Sequence, residues 1–199
     1  ETYTPMIQQY LTLKESVPGF LLFFRLGDFY ELFFDDAKTA AQELEITLTA
    51  RDGGAKERIP MCGVPYHSYQ PYVKKLIEKG YKVAICEQVE DPKEAKGVVK
   101  REIVRLITPG TYFDEEVGHE KENRFIAAVI EKEGSYAIAY CDVSTGELQA
   151  TQVVGEKACL EELVMIQAAE LVVDDSWETV PGRLLETPSV WSQVDEWPA

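Results

Sequence analysis

Hydrophobic positions in the first 113 residues follow two kinds of pattern, one typical of buried strands and one typical of helices. The segment 20–26 is apolar except for Arg25, which is typical of a strand buried on both faces. Other segments place apolar residues three or four positions apart, which is typical of helices with one buried face. The predicted helices are 5–17, 33–44 and 69–79, and the predicted strands are 20–26, 46–50, 59–64, 82–89 and 98–108. The pattern therefore predicts a mixed α/β domain.

The rest of the chain predicts a second α/β domain. Segment 114–123 is charged and polar without periodicity, which suits a linker. Three alternating segments joined by tight turns follow, and then one helix and one further strand. The predicted strands are 124–131, 135–143, 147–154 and 171–174, and the predicted helix is 157–169. We expect a first domain at 1–113, a linker at 114–123 and an incomplete second domain at 124–199, since the end of the sequence is weakly patterned.

Charge is divided unevenly between these two regions. The net charge is −15, but residues 1–113 carry 15 basic and 16 acidic side chains, whereas residues 114–199 carry 5 and 19. Lys and Arg supply most of the non-specific affinity for phosphates. The near-neutral first region can still present a local basic surface, and the acidic second region is better suited to a protein partner.

Composition limits where the protein is expected to act and which metal and thiol chemistry is expected of it. No segment approaches the roughly 20 uninterrupted apolar residues of a membrane helix, and the first ten residues lack the features of a secretion signal. The four cysteines are widely separated and do not form the close pairs of a zinc site. We expect a cytoplasmic protein that does not act at a membrane, with reduced thiols and no metal site.

A run of bulky aromatics continues across a Gly-Asp break at 23–33, with the sequence FFRLGDFYELF. It resembles the mismatch-recognition motif of the MutS family. The similarity continues, in the order found in the family, through DDAK at 35–38, IPM at 59–61, GVPYH at 63–67, AICEQ at 84–88 and LITPGT at 106–111. The resemblance implies a mixed-sheet α/β mismatch-recognition domain, followed by a connector domain with a ribonuclease-H-like α/β fold.

The resemblance also implies partners. The expected ligand is double-stranded DNA with mismatches or small loops, and the connector is expected to contact the partner protein MutL. Full-length members of the family are dimeric and use ATP and magnesium, but this sequence has no Gly-rich Walker loop ending in Lys-Ser or Lys-Thr. We therefore expect this part to bind no cofactor and not to be an enzyme. The resemblance also implies that the dimer is held by C-terminal portions of the family, so we expect this part to be monomeric.

Phe29 and Glu31 are the residues that the resemblance assigns to the mispair. An apolar wedge inserted from the minor groove costs least where pairing is already defective, so Phe29 can detect a mismatch without a fixed sequence. Glu31 lies two residues further on and shares a face with Phe29 in an extended segment. The resemblance implies that Glu31 hydrogen-bonds the displaced base. Without the family resemblance, Phe29 would be interpreted as a core aromatic and Glu31 as a solvated charge. Tyr30, which lies between them, is expected to face the core.

Contacts with the DNA backbone require cations. One candidate group lies in the Gly-rich loop at 51–58, and a second lies in the polar stretch at 93–101, which also includes Lys93 and Lys100. Simple solvation is the alternative for the second group. The predicted phosphate contacts are Arg51, Lys56, Arg58, Lys96 and Arg101.

Two other function classes remain open from the sequence. A ribonuclease-H-like fold can hold divalent metal between carboxylates, and Asp142, Asp174 and Asp175 are the residues to consider for a nuclease. Alternatively, the chain is purely a protein-interaction module, in which residues 114–199, with a net charge of −14, dock a basic partner.

Overall fold

The computed structural model describes residues 3–54, 57–93, 95–112, 124–174, 177 and 190–194. Contacts divide the chain into a first unit, Glu1–Ile107, and a second unit, Thr108–Ala199. The predicted linker at 114–123 lies outside the described residues. No helix among the described residues is long and apolar enough to cross a membrane.

The first unit is a six-stranded mixed sheet with helices. Its strands lie in the order β3-β4-β2-β1-β5-β6, and only β1 and β5 are parallel neighbours. This confirms the mixed α/β prediction. The elements are α1 Pro5–Glu15, β1 Phe20–Leu26, β2 Phe29–Phe33, α2 Phe34–Leu44, β3 Thr49–Arg51, β4 Ile59–Pro65, a 3-10 turn Tyr66–Ser68, α3 Gln70–Glu78, β5 Lys82–Gln88 and β6 Arg101–Ile107.

Helices cover both faces of this sheet. On one face, Ile7 and Tyr10 of α1 join a core with Phe24 and Phe33. On the other face, Cys62 Sγ of β4 lies 3.4 Å from the Ala37 carbonyl oxygen of α2. Strand β1 is therefore buried on both faces, as its apolar run predicts.

One acidic side chain ties α1, β1 and α2 together. Asp36 is 8% exposed, and its carboxylate lies 2.8 Å from Lys14 Nζ. It also accepts hydrogen bonds from the Leu22 backbone N–H at 2.9 Å and from the Tyr10 hydroxyl at 3.3 Å. A buried carboxylate is stable where it is paired and hydrogen-bonded in this way. Asp36 thus fixes the helix on one face of β1 relative to the helix that follows β2.

The hydrophobic pattern does not predict β2 as a separate strand, because it merges with the pattern of the helix that follows. It forms a hairpin with β1 in which Leu26 pairs with Phe29 and Phe24 pairs with Glu31. Only Gly27 and Asp28 connect the strands, and Gly27 has φ +61°. Two-residue hairpin loops require such a positive φ, which glycine adopts at little cost.

The second unit contains a five-stranded sheet in the order β11-β10-β7-β8-β9. Strands β7 to β9 form the predicted antiparallel meander, and β10 runs parallel to β7. The helix is shorter than predicted, and β11 lies in the segment that the sequence leaves without an element. This α/β arrangement agrees with the expected connector fold. The elements are β7 Phe125–Lys132, β8 Ser135–Asp142, β9 Glu147–Val154, α4 Glu156–Ile166, β10 Glu170–Asp174 and β11 Val190–Val194.

Candidate nucleic-acid interface

Phe29 and Glu31 lie on the same face of β2. Phe29 is 44% exposed, Glu31 is half-buried, and Tyr30 between them is 3% exposed. Alternation along the strand therefore directs Tyr30 into the core and leaves its two neighbours accessible, as the sequence predicts. An aromatic side chain with this exposure is available to a ligand.

Both side chains line an open concave surface, which we call the β2–β4 hollow. Strand β4 contributes Met61, Cys62 and Gly63 to it. The lining is completed by Glu45, Ile46 and Thr47, which follow α2, and by Thr49 at the start of β3. The sequence identifies the two β2 residues, but not the other wall, because that wall comes from segments 14 to 34 positions away along the chain.

The turn before Phe29 is held from two sides. The Tyr66 backbone N–H donates to the Asp28 carbonyl oxygen at 2.9 Å, and Arg25 Nε donates to the Gly27 carbonyl oxygen at 2.5 Å. The Arg25 guanidinium also lies 3.5 Å from the centre of the Tyr66 ring, a cation–π contact. The sequence analysis does not identify Arg25 and Tyr66 as supports. The available signal is that Arg25 is the only charge within an apolar strand.

Glu31 sits in an electrostatically mixed environment. Burial raises the pKa of its carboxyl above the usual range, because desolvation disfavours the charged form. The positive charge of Arg51 on β3 lowers the pKa and opposes this effect. The side chain therefore takes up a proton more readily than an exposed glutamate.

The predicted phosphate contacts occupy different settings. Arg51 is half-buried, whereas Arg58 and Lys96 are exposed. Arg58 donates to the Ala50 carbonyl oxygen at 2.5 Å, which holds its guanidinium near the start of the loop. Lys56 lies outside the described residues. In the polar stretch, Lys93 is exposed, and Lys100 is 2.6 Å from the Glu102 carboxylate.

The prediction that Arg101 contacts phosphate does not fit its position. Arg101 is 6% exposed and donates to the Arg25 carbonyl oxygen at 2.7 Å and to Gln9 Oε1 at 2.8 Å. Its guanidinium also lies 4.5 Å from the centre of the Phe24 ring. These partners satisfy the cation inside the first unit, so its role there is to join α1, β1 and β6.

Replacing Arg101 by alanine should destabilise the first unit by about 2–4 kcal/mol, because the substitution leaves buried acceptors without a donor. Arg105 on the same strand is exposed. Arg105→Ala should change stability by less than about 0.5 kcal/mol. Urea unfolding measures both variants. A small effect of Arg101→Ala on unfolding, together with a weaker salt dependence of DNA binding, would restore Arg101 as a phosphate contact.

Of the residues considered for a nuclease, Asp142 and Asp174 lie in the described part of the chain. Asp142 is 2% exposed, and its Oδ1 accepts from the Ser144 N–H at 2.8 Å and the Ser144 hydroxyl at 2.6 Å. These hydrogen bonds lower the pKa of the Asp142 carboxyl, as expected for the acceptor of a tight turn. Asp174 ends β10, and Asp175 is not among the described residues. Within that part of the chain, no group of three or more His, Cys, Asp or Glu side chains could hold a metal ion.

Comparison with known families agrees with this arrangement. Residues 4–116 match the family model described as MutS domain I, and residues 124–191 match the model described as MutS domain II. The two units thus correspond to two successive domains of one class of DNA mismatch repair proteins. The chain belongs to the MutS family.

Several curated relatives are called DNA mismatch repair protein MutS. The protein from Bacillus licheniformis is 61% identical over 86% of this chain, and that from Bacillus subtilis is 60% identical over 87%. The protein from Geobacillus sp. strain WCH70 is 58% identical over 93% of the chain. The aligned residues make up 20%, 20% and 22% of these relatives, so the chain spans about a fifth of their length.

Proposed function

We propose that the first unit recognises mispaired bases and small loops in double-stranded DNA through Phe29 and Glu31. The observation that carries this proposal is the exposure of Phe29, 44%, on the face that it shares with Glu31. The Phe29 side chain lines the β2–β4 hollow, which can receive a displaced base. Membership of the MutS family supports mismatch repair as the process.

Phe29 is proposed to act as a wedge inserted from the minor groove. Stacking on an aromatic ring contributes about 1–3 kcal/mol for any base, so the ring does not select a sequence. Inserting it into a base step costs a few kcal/mol, and the cost is lower where the bases are mispaired. Selectivity then comes from the deformability of the DNA, not from a donor and acceptor code.

Glu31 is proposed to hydrogen-bond the displaced base. As a carboxylate it accepts from a base N–H, and as a protonated carboxyl it also donates to a ring nitrogen. The raised pKa of Glu31 makes the protonated form accessible near DNA, where phosphates favour proton uptake. On matched DNA the base stays in the stack, so the charge is repelled by phosphates without compensation.

The proposed phosphate contacts are Arg51, Lys56, Arg58 and Lys96, and they hold the duplex over the hollow. Few cations are involved, so the dependence of affinity on salt should be shallow, with a slope of about −0.9 per contact. The near balance of basic and acidic residues at 1–113 is consistent with a small basic surface.

Phe29→Ala should weaken binding to a G·T duplex by about 5- to 100-fold, because the stacking energy is lost. Stability should fall by less than about 1 kcal/mol, since the ring lies at the surface. Phe23, which is fully buried in β1, is the control. Phe23→Ala should cost about 3–5 kcal/mol in urea unfolding. A comparable loss for Phe29→Ala would identify Phe29 as a core residue and contradict the proposal.

Glu31→Ala should strengthen binding to matched DNA, because a negative charge near phosphates is removed. Binding to a G·T duplex should gain less or weaken, because the hydrogen bond, worth roughly 0.5–3 kcal/mol, is lost. The matched control is Glu45→Ala, since Glu45 lines the same hollow and its side chain is 85% exposed. That variant should strengthen both duplexes alike. Titrations of the full-length protein with each duplex measure the ratio of the matched to the G·T dissociation constant. An equal gain in affinity for both duplexes in Glu31→Ala would contradict a role in recognition.

For the second unit we propose a relay to the partner protein MutL. The surplus of acidic residues at 114–199, 19 against 5 basic, disfavours phosphate contact and suits a protein surface. Its match to MutS domain II supports this assignment. In the full-length family, ATP and magnesium are proposed to act through residues outside this sequence.

Deleting residues 114–199 should leave mismatch preference intact, because the first unit has its own sheet and core. The same deletion should abolish retention on immobilised MutL. Pull-down and duplex titration measure the two properties separately. Retention of MutL by residues 1–113 alone would assign the partner surface to the first unit instead.

A further inference from the structure

Gly63 lies directly beneath the carboxylate of Glu31. The two residues are paired across β2 and β4, on the same face of the sheet. A Cβ atom placed on Gly63 would stand 2.4 Å from Glu31 Oε2 and 2.8 Å from Glu31 Cδ. The carboxylate therefore occupies the space that any other residue at position 63 would fill.

Backbone conformation does not account for this glycine. Gly63 does not have a positive φ, so alanine can adopt the same conformation. On the same face of β4, Met61 and Pro65 flank Gly63 in the alternating pattern of the strand. Gly63 is thus a gap in this row of side chains, and the carboxylate fills the gap.

A second glycine shows the contrast. A Cβ on Gly53 would meet the Ile59 side chain at 1.9 Å, so Gly53 makes room for a core residue. Gly63 instead makes room for a charged group at the candidate DNA interface. The space beneath Glu31 is therefore tied to this interface and not to packing of the core.

We propose that Gly63 is a positioning residue that determines specificity. Because Gly63 has no side chain, the Glu31 carboxylate lies close against the β4 backbone at this position, and we call this surface of the backbone the seat. The seat holds the carboxylate at the distance from the sheet at which it meets a displaced base. This inference rests on the proposed function of Glu31. The seat restricts the rotamers of Glu31 before DNA binds, so less entropy is lost when the hydrogen bond forms. A methyl group at position 63 lifts the carboxylate toward the space needed by the base.

Gly63→Ala tests the seat. The nearest atoms are the far end of a flexible side chain, so Glu31 can move aside while the fold is retained. The melting temperature should shift by less than about 4 °C. The ratio of matched to G·T dissociation constants should fall by a factor of about 3 to 10, since the hydrogen bond is misplaced but not deleted.

Glu31→Ala supplies the background that isolates the mechanism. If Gly63 acts through Glu31, then Gly63→Ala should leave the ratio unchanged in Glu31→Ala protein, because no carboxylate remains to be displaced. An unchanged ratio in the single Gly63→Ala variant overturns the inference. The same loss in both backgrounds also overturns it, because the methyl group would then act on DNA directly.

A measurement without DNA separates the seat from recognition. Carbon-13 NMR titration of the Glu31 carboxyl in this chain should show a lower pKa in Gly63→Ala, because the lifted carboxylate gains solvent. The surrounding charges, Arg51 on β3 and Glu45 at the end of α2, are unaltered in both proteins. An unchanged pKa of Glu31 in Gly63→Ala would overturn the inference about Gly63. If Glu31→Ala nevertheless abolishes selectivity, the proposed function of Glu31 is retained without that inference. If Glu31→Ala leaves selectivity unchanged, the proposed function fails, and the specificity role of Gly63 fails with it.

Discussion

The register of the β1–β2 hairpin determines where Phe29 and Glu31 point. Leu26 pairs with Phe29 across a loop of two residues. Because side chains alternate along a strand, a slip of one residue would bury Phe29 and Glu31 and expose Tyr30 and Leu32. Strand β1 is held by its parallel neighbour β5 and by helices on both faces, so it cannot move to accommodate a different register. The candidate interface therefore depends on the core of the first unit.

Burial changes in steps along one face of β2. Phe33 is fully buried beneath α1, Glu31 is half-buried, and Phe29 is 44% exposed. Phe33 belongs to the core cluster that contains Ile7 and Tyr10 of α1, whereas Glu31 and Phe29, nearer the start of β2, do not. A wedge on a strand is more rigid than one on a free loop, and the contact of Arg25 with Tyr66 restricts the turn next to it. This rigidity suits the proposed role of Phe29, in which the ring is pushed between bases.

Sequence patterns predicted most elements of the fold, but not the surroundings of Phe29 and Glu31. The buried strand β1 is evident because its apolar run is continuous, whereas β2 merges with the helical spacing that begins at Phe33. The burial of Arg101 depends on partners 76 and 92 residues away, which a local pattern does not contain. Gly63 shows the same limit, because a glycine within a strand gives no sign of which side chain occupies the space above it. The prediction that Phe29 and Glu31 meet the mispair rests on the family resemblance, since the hydrophobic pattern alone favours a core aromatic and a solvated charge.

A carboxylate at a DNA interface reduces affinity for DNA. It improves discrimination only if it reduces the affinity for matched DNA more than the affinity for mismatched DNA. Selectivity is the difference between two binding free energies, so a group that weakens both complexes still improves discrimination when it weakens the matched one more. In the proposed mechanism, Glu31 on matched DNA meets phosphates with no base to bond. On a mismatch, the displaced base would offer a partner within the β2–β4 hollow, and half-burial makes the protonated form of Glu31 easier to reach. Under this proposal, the cost of holding the charge near DNA is offset only where the base pair is already defective.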